Sequence, residues 1–496
     1  MNSTESSPGS YGRFARNVSA LAVSNALLGL RGILFIPLVT KLLGEADYGI
    51  WTQIMLFVVL VSNFAAIGLP NSVSRFLSGE ERKGKLREGL YASILLSLFV
   101  GLIILLAARA LLNLSSGIII IPESQAVNLG LWLVPIASVD LILSSYLLAR
   151  RHAKIYAAAD IFKGYGEIIL AYVMIYGGLG LYGVVGAALI TRILVTGFVM
   201  AFVLKEIGVS SPDFDVIGDY MRYGIPTIAS SLSSWVLGFS DRYLIGLFSD
   251  NVQVGIYSAA YGVSRSISFI LGPLKLILNP TIYYLWENGQ RERAQEFITR
   301  TMKFFLLLAI PASFGLSFLA GPVLLLLSTE IIADSGALVV PFVSLGIILQ
   351  GITIILSRVF LLHKNSRALG SIWIVAAVSN IAMNLLLIPT IGIVGAALAT
   401  TLSYSVALGM VIVRGRRYDP GLAKFPLVFC LKSIFSSSVM LVAVHIVKSF
   451  IDEMVLMLAA SILAGIGVYL VLLVSIGGLT SEEISFIKKF VRGFSR

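Results

Sequence analysis

Residues 179–204 read LGLYGVVGAALITRILVTGFVMAFVL, a run of 26 residues with one charge, Arg192. About 20 consecutive apolar residues in a helix cross the hydrocarbon core of a bilayer, so this run predicts a spanning helix. The same composition recurs along the chain. Candidate spans lie at 18–40, 50–69, 89–111, 127–148, 155–176, 179–204 and 224–248, and again at 253–278, 302–327, 337–362, 368–388, 391–413, 426–447 and 455–476. Of the 496 residues, 57% are hydrophobic and only 13% charged, about half the share in an ordinary soluble domain. The predicted fold class is an all-α polytopic membrane protein of about 14 transmembrane helices. The run at 18–40 follows a Ser- and Gly-rich start. It contains Arg31 and Pro37 and has no small-residue cleavage site, so it reads as a retained first span rather than a signal peptide.

The loops give the spans an orientation. With the N-terminus inside, 27 of the 37 basic residues fall in inside segments, among them Arg82, Lys83, Lys85, Arg87, Arg150, Arg151, Arg414, Arg416 and Arg417. Outside segments hold only Lys41, Arg109 and Lys448. The positive-inside rule then predicts a multi-pass protein of the cell membrane with both termini cytoplasmic. The net charge of +11 therefore reports topology, and nucleic acid is not an expected partner. The single Cys430 excludes an internal disulfide, and three scattered histidines offer no metal spacing, so no cofactor is expected.

An internal repeat organises the spans. Gly183-Val-Val-Gly186-Ala-Ala-Leu-Ile-Thr191 returns as Gly392-Ile-Val-Gly395-Ala-Ala-Leu-Ala-Thr400, and Tyr48-Gly49-Ile50-Trp51 matches Val254-Gly255-Ile256-Tyr257. Six spans separate the copies. An even number keeps the orientation, so the halves are related by a pseudo-twofold axis along the membrane normal. The expected organisation is a cytoplasmic tail (1–17), an N-lobe of six helices (18–204), a cytoplasmic linker (205–223), a C-lobe of six helices (224–413), two further helices (426–476) and a cytoplasmic tail (477–496).

Seven basic residues lie inside the spans: Arg31, Lys163, Arg192, Arg242, Arg265, Lys275 and Arg358. Each buried cation costs roughly 2.5–3.5 kcal/mol even on the lenient insertion scale. Lys275 and Arg358, near span ends, are expected to snorkel. The other five require acidic partners or a wet cavity. Asp160, Lys163 and Glu167 stand on one face of the fifth span and are expected to neutralise one another. Asp241 and Arg242 are adjacent and point in different directions, so direct pairing is not required. Thr227, Ser231, Ser234, Gly238 and Arg242 form a stripe along span 7, read as a cavity wall or a tight helix seam. A cation-lined cavity suits an anionic substrate such as a phosphate or pyrophosphate.

Further stretches carry a family resemblance. Leu361-Leu-His-Lys-Asn-Ser-Arg367, the run Asn380-Ile-Ala-Met-Asn384-Leu-Leu-Leu-Ile-Pro389, Leu43-Gly44-Glu-Ala-Asp47-Tyr48-Gly49 and Asp241-Arg242 followed by Gly255-Ile-Tyr-Ser-Ala-Ala-Tyr261 together resemble the O-antigen-type polysaccharide flippases of the multidrug/oligosaccharidyl-lipid/polysaccharide (MOP) exporter superfamily. The resemblance implies two six-helix lobes around a cationic cavity and alternating access. It implies a flippase, not an enzyme, that carries a polyprenyl phosphate- or pyrophosphate-linked oligosaccharide across the cytoplasmic membrane for surface polysaccharide biosynthesis. Lipid II flippases of the superfamily use arginines in helices 1 and 8, which points to Arg31 and Arg265.

The expected substrate ligands are Arg31, Arg242 and Arg265, then Arg192 and Lys163. Expected partners are the lipid-linked glycan, membrane lipids and a coupling H+ or Na+. The competing expectation is a cation-coupled multidrug or small-molecule antiporter of the same superfamily, with Asp140, Asp241 or Glu167 carrying the ion.

Overall fold

The computed structural model describes residues 29–77, 83–114, 125–418 and 425–479. The tail 1–17, the start of the first span, most of the tail 477–496 and basic residues such as Arg82 and Lys424 lie outside the described residues. The described residues are mostly helical, with no strand among them. In order the helices are α1 (29–43), α2 (Glu45–Ala65), α3 (Leu69–Phe76), α4 (Lys83–Leu114), α5 (Gln125–Leu131), α6 (Leu133–Ala149), α7 (Ala153–Tyr176), α8 (Gly180–Ile207), α9 (Ile217–Phe248) and α10 (Asn251–Arg265). A 3-10 turn (Ser266–Ile270) leads into α11 (Leu271–Glu287), α12 (Arg291–Phe318), α13 (Ala320–Leu327), α14 (Glu330–Gly336), α15 (Val339–Leu356), α16 (Arg358–Leu362), α17 (Ser366–Tyr418), α18 (Leu427–Phe450) and α19 (Met454–Ser475).

Among the described residues, nine helical stretches are long and apolar enough to cross a membrane on length and composition alone. Helix α17 is two of the predicted spans joined at a kink, where Ile391 leaves helical geometry and Gly392 takes a φ of 59°. That left-handed conformation carries no steric cost for glycine. The remaining predicted spans correspond to α1, α7, α9 and the α10–α11 run, the segments that hold Arg31, Lys163, Arg242, Arg265 and Lys275. Where residues are described, the fourteen predicted spans fall on helices, and the protein is an all-α, multi-pass membrane protein.

Proline explains the main interruptions. Pro273 has no N–H to continue an α-helical ladder, and the preceding turn is 3-10. Pro135 follows the break at Trp132 between α5 and α6.

The described chain packs as two compact units: Met1–Ala259 with Trp373–Ala399, and Ala260–Ile372 with Thr400–Arg496. In the first, Leu69, Leu90, Ile142, Leu143 and Val203 form one core, and Ile54, Val58, Leu133, Val134 and Val185 another. The repeat motif Gly183–Ala188 is buried in this unit because its small residues admit close helix packing. In the second, α12 packs against α15. Phe305 lies so close to Gly351 that a methyl there would sit 2.3 Å from the ring.

Within the first unit, the repeat-equivalent glycines Gly49 and Gly255 meet each other. A methyl on Gly49 would lie 1.9 Å from the Asn251 carbonyl oxygen, and one on Gly255 would lie 2.0 Å from the Glu45 carbonyl oxygen. The crossing of α2 and α10 is thus reciprocal, as a twofold relation between the matched stretches requires. A second close approach joins Gly68 to Gly224, where a methyl on Gly68 would sit 2.2 Å from the Gly224 carbonyl oxygen.

Candidate functional site

The charged side chains inside the first unit are arranged as ion pairs between helices. Arg31 of α1 donates from Nη2 to the Glu167 carboxylate of α7. Arg31 passes over Gly164, where a methyl would lie 2.7 Å from its Cδ, so the absence of a side chain there makes room for the arginine. The Arg31 side chain remains 30% exposed while that of Glu167 is 9% exposed. One arm of the guanidinium is held, and part of the fork faces open space.

Lys163, one turn away on α7, donates at 2.8 Å to Asp140 of α6 and at 2.8 Å to Asp160 of its own helix. The expected neutralisation among Asp160, Lys163 and Glu167 is therefore only half present. Lys163 and Asp160 pair, but Glu167 turns to Arg31, and the second acid for Lys163 comes from a neighbouring helix. A charge facing the helix seam in low dielectric takes the partner that the seam presents.

Asp241 and Arg242, whose pairing the sequence left open, are joined in the structure. They do pair: Arg242 Nη1 donates to Asp241 Oδ1 at 2.6 Å and to the Gly238 carbonyl at 2.7 Å. Both side chains are at most 5% exposed. Tyr257 Oη donates to Asp241 Oδ2 at 2.5 Å, and the guanidinium stands 5.0 Å over the Tyr257 ring. With so little water available, these adjacent charges curl back on one another despite their divergent Cβ directions. On the same helix, Ser240 reaches Asn380 Oδ1 at 3.3 Å, and Asn384 donates to that oxygen at 3.1 Å.

The polar stripe on α9 does form a cavity wall over part of its length. Thr227 and Ser231 line a cavity of about 160 Å³ with Asn63, Asn71 and Trp235, and Ser231 and Ser234 line a shallower one with Phe239. Arg242 is not among the lining residues of either. Asn71 donates to Thr227 Oγ1 at 2.9 Å and Trp235 Nε1 to the Leu56 carbonyl at 3.3 Å, tying α3 and α2 to α9.

Arg192 is half-buried on α8. Arg265 belongs to the second unit, where it is exposed at the end of α10, just before the 3-10 turn. The first unit therefore collects Arg31, Lys163, Arg192, Arg242 and all three candidate acids. All three acids are bound to a cation, Asp140 and Glu167 across helices and Asp241 within α9, and Asp241 is the most enclosed. Sequence reasoning missed the Arg31–Glu167 and Lys163–Asp140 pairs. Opposite charges in neighbouring apolar spans were the available signal, but helix spacing alone does not say which spans adjoin.

The polysaccharide biosynthesis protein family matches residues 14–286. Two proteins of Haloferax volcanii are similar. One, described as "Probable low-salt glycan biosynthesis flippase Agl15", is 24% identical over 210 residues, covering 42% of this chain and 44% of that protein. The other, "Probable flippase AglR", is 27% identical over 191 residues, covering 38% and 39%. The chain thus matches under half the length of these relatives. Among solved structures, the inward closed conformation of the lipid II flippase MurJ aligns with a TM-score of 0.72 at 18% identity, covering 92% of this chain and 98% of that one. An inward-facing multidrug resistance MATE transporter of the MOP superfamily aligns with a TM-score of 0.65 at 17% identity, covering 81% and 96%. At these identities the likeness concerns the fold.

Proposed function

The chain belongs to the polysaccharide biosynthesis protein family, with a MOP-superfamily fold, and from that premise we propose that it is a flippase for a lipid-linked oligosaccharide. The cargo is carried on a polyprenyl phosphate or pyrophosphate and moves from the cytoplasmic to the outer leaflet of the cell membrane. The observation that carries this reading is Arg31. Its guanidinium is fixed at one arm by Glu167 inside a bilayer-spanning helix, yet keeps 30% exposure. A partly open guanidinium in such a place suits a phosphate oxygen, which accepts the free face of the fork. Arg265, exposed on α10, is the proposed second ligand. Arg192 adds to the positive field, Lys163 acts through its pairs with Asp140 and Asp160, and Arg242 acts through its closed network with Asp241 and Tyr257 rather than by direct contact.

Alternating access is supported by the glycine crossings. Gly49–Gly255 and Gly68–Gly224 let backbones touch at two different levels of the first unit, as two gates would. On the proposed orientation the first lies toward the outside and the second toward the cytoplasm.

Translocation of a fluorescent lipid-linked oligosaccharide in proteoliposomes tests the reading. Arg31→Ala and Arg265→Ala, at normal expression, are expected to abolish transport, and full activity in both overturns it.

Cation coupling is the second proposal, with Asp241 as the coupling carboxylate, since Asp140 and Glu167 hold interhelical pairs. Its support is the enclosure of Asp241, held by Arg242 and Tyr257 and next in sequence to Ser240, which joins the buried Asn380–Asn384 pair. Asp241→Asn should remove the dependence of transport on an imposed H+ or Na+ gradient. An unchanged gradient dependence excludes Asp241.

A further inference from the structure

Two cations in the second unit stand apart from those described so far. Lys275 on α11 and Arg358 at the start of α16 are both half-buried. Among the described residues, no carboxylate pairs with either. In the first unit Arg31, Lys163 and Arg242 each have an acid. Here the two cations interact electrostatically with one another, and Arg358 also interacts with Tyr283. Like charges in a membrane interior repel and are poorly solvated, so their retention calls for a counter-charge.

The surrounding polar groups converge on the same place. Lys275, Asn279 and Tyr283 recur every four residues along α11 and share one face. The Arg358 Nε and the Asn279 Oδ1 are buried with no hydrogen-bond partner among the described residues. Buried polar atoms are nearly always satisfied, so orphans on both sides of a cation pair mark where a ligand's polar atoms belong. The amide of Asn279 offers both a donor and an acceptor edge. Around Arg358, Ser357, Val359 and Phe360 are at most 3% exposed, which holds the guanidinium base in place.

We infer that Lys275, Arg358 and Asn279, with Tyr283 at the rim, form a second anion site that takes the phosphoryl group of a phosphate ester or diphosphate. Two fixed cations match the double charge of such a group. Arginine supplies a planar fork, lysine a compact charge, and Asn279 a neutral hydrogen bond. The natural donor is either the phosphate of a lipid carrier or a soluble phosphate. The first choice rests on the proposed flippase reading; the site itself does not. Transport loss in Arg31 and Arg265 variants and binding loss here are separate outcomes.

Binding to the full-length purified protein tests the site with three probes: inorganic pyrophosphate, a C15 prenyl diphosphate, and phosphatidylglycerol in phosphatidylcholine nanodiscs. Lys275→Met with Arg358→Gln should weaken binding of at least one probe by about tenfold or more, and Lys275→Arg alone, which keeps both charges and the Arg358 fork, should weaken it less. Tighter binding of the prenyl diphosphate than of pyrophosphate identifies a lipid carrier. Equal binding identifies a free anion, and preference for phosphatidylglycerol identifies a bilayer lipid. Affinities unchanged in the double variant for all three probes overturn the site. Should that variant not fold, the wild-type melting temperature is titrated with each probe. A rise that is lost in Asn279→Leu supports the site, and no rise with any probe, or a rise retained in Asn279→Leu, overturns it.

Discussion

Arg31 shows how one membrane cation is made tolerable. Glu167 neutralises it, Gly164 clears its path, and the rest of the guanidinium stays open. Removing the acid alone leaves a cation without its partner, and removing both leaves neither. A double-mutant cycle of Arg31→Gln and Glu167→Gln, read by thermal unfolding in detergent, should therefore give a coupling of about 1–2 kcal/mol. Additive effects would mean that the pair contributes nothing to stability. Gly164→Val places bulk where the Arg31 stem runs. It should reduce transport as severely as Arg31→Ala while leaving expression intact. The charge of Arg31 was legible in the sequence, and so was its costliness. Its partner was not, because a contact 136 residues away depends on which helices adjoin.

At the scale of elements, α7 carries the heaviest polar load. Lys163 binds two carboxylates, one from α6 and one from its own preceding turn. Lys163→Met would strand both acids. It should lower the melting temperature more than the triple change Lys163→Met, Asp140→Asn and Asp160→Asn, which removes the charges together. A lower melting temperature for the triple variant would contradict this account. The crossing of α2 and α10 is limited by backbone contact rather than by side chains. Gly49→Ala forces the helices apart by the width of a methyl, at a cost of about 1–3 kcal/mol. If the crossing is also a gate, transport should fall in Gly49→Ala and Gly255→Ala alike, and a normal rate in both would remove it as a gate.

For the whole molecule, orientation rests on the unequal distribution of basic residues. Cys430 is the sole cysteine, so Cys430→Ser yields a cysteine-free background in one step. In that background Glu292→Cys is expected to react with a membrane-impermeant maleimide only from the cytoplasmic side, and Glu330→Cys only from the outside. The reverse pattern would invert the topology. The two halves seen as a sequence repeat do not coincide with the two compact units, because residues 224–259 and Trp373–Ala399 of the expected C-lobe pack with the first unit. Repeat boundaries follow ancestry along the chain, whereas packing follows whichever apolar faces meet.

The sequence by itself determined the helical membrane class, the apolar runs that become its long helices and the costly charges among them. Each of these follows from local composition: a bilayer demands about 20 apolar residues in a helix and penalises every ion within it. The reciprocal meeting of Gly49 and Gly255 was foreshadowed by the repeat but not stated by it. Only the tertiary structure decided that Arg31 meets Glu167, that Arg242 folds back onto Asp241, and that no carboxylate among the described residues pairs with Lys275 or Arg358. Those outcomes depend on which helix faces adjoin and how much water remains between them. Neither is encoded in any single span.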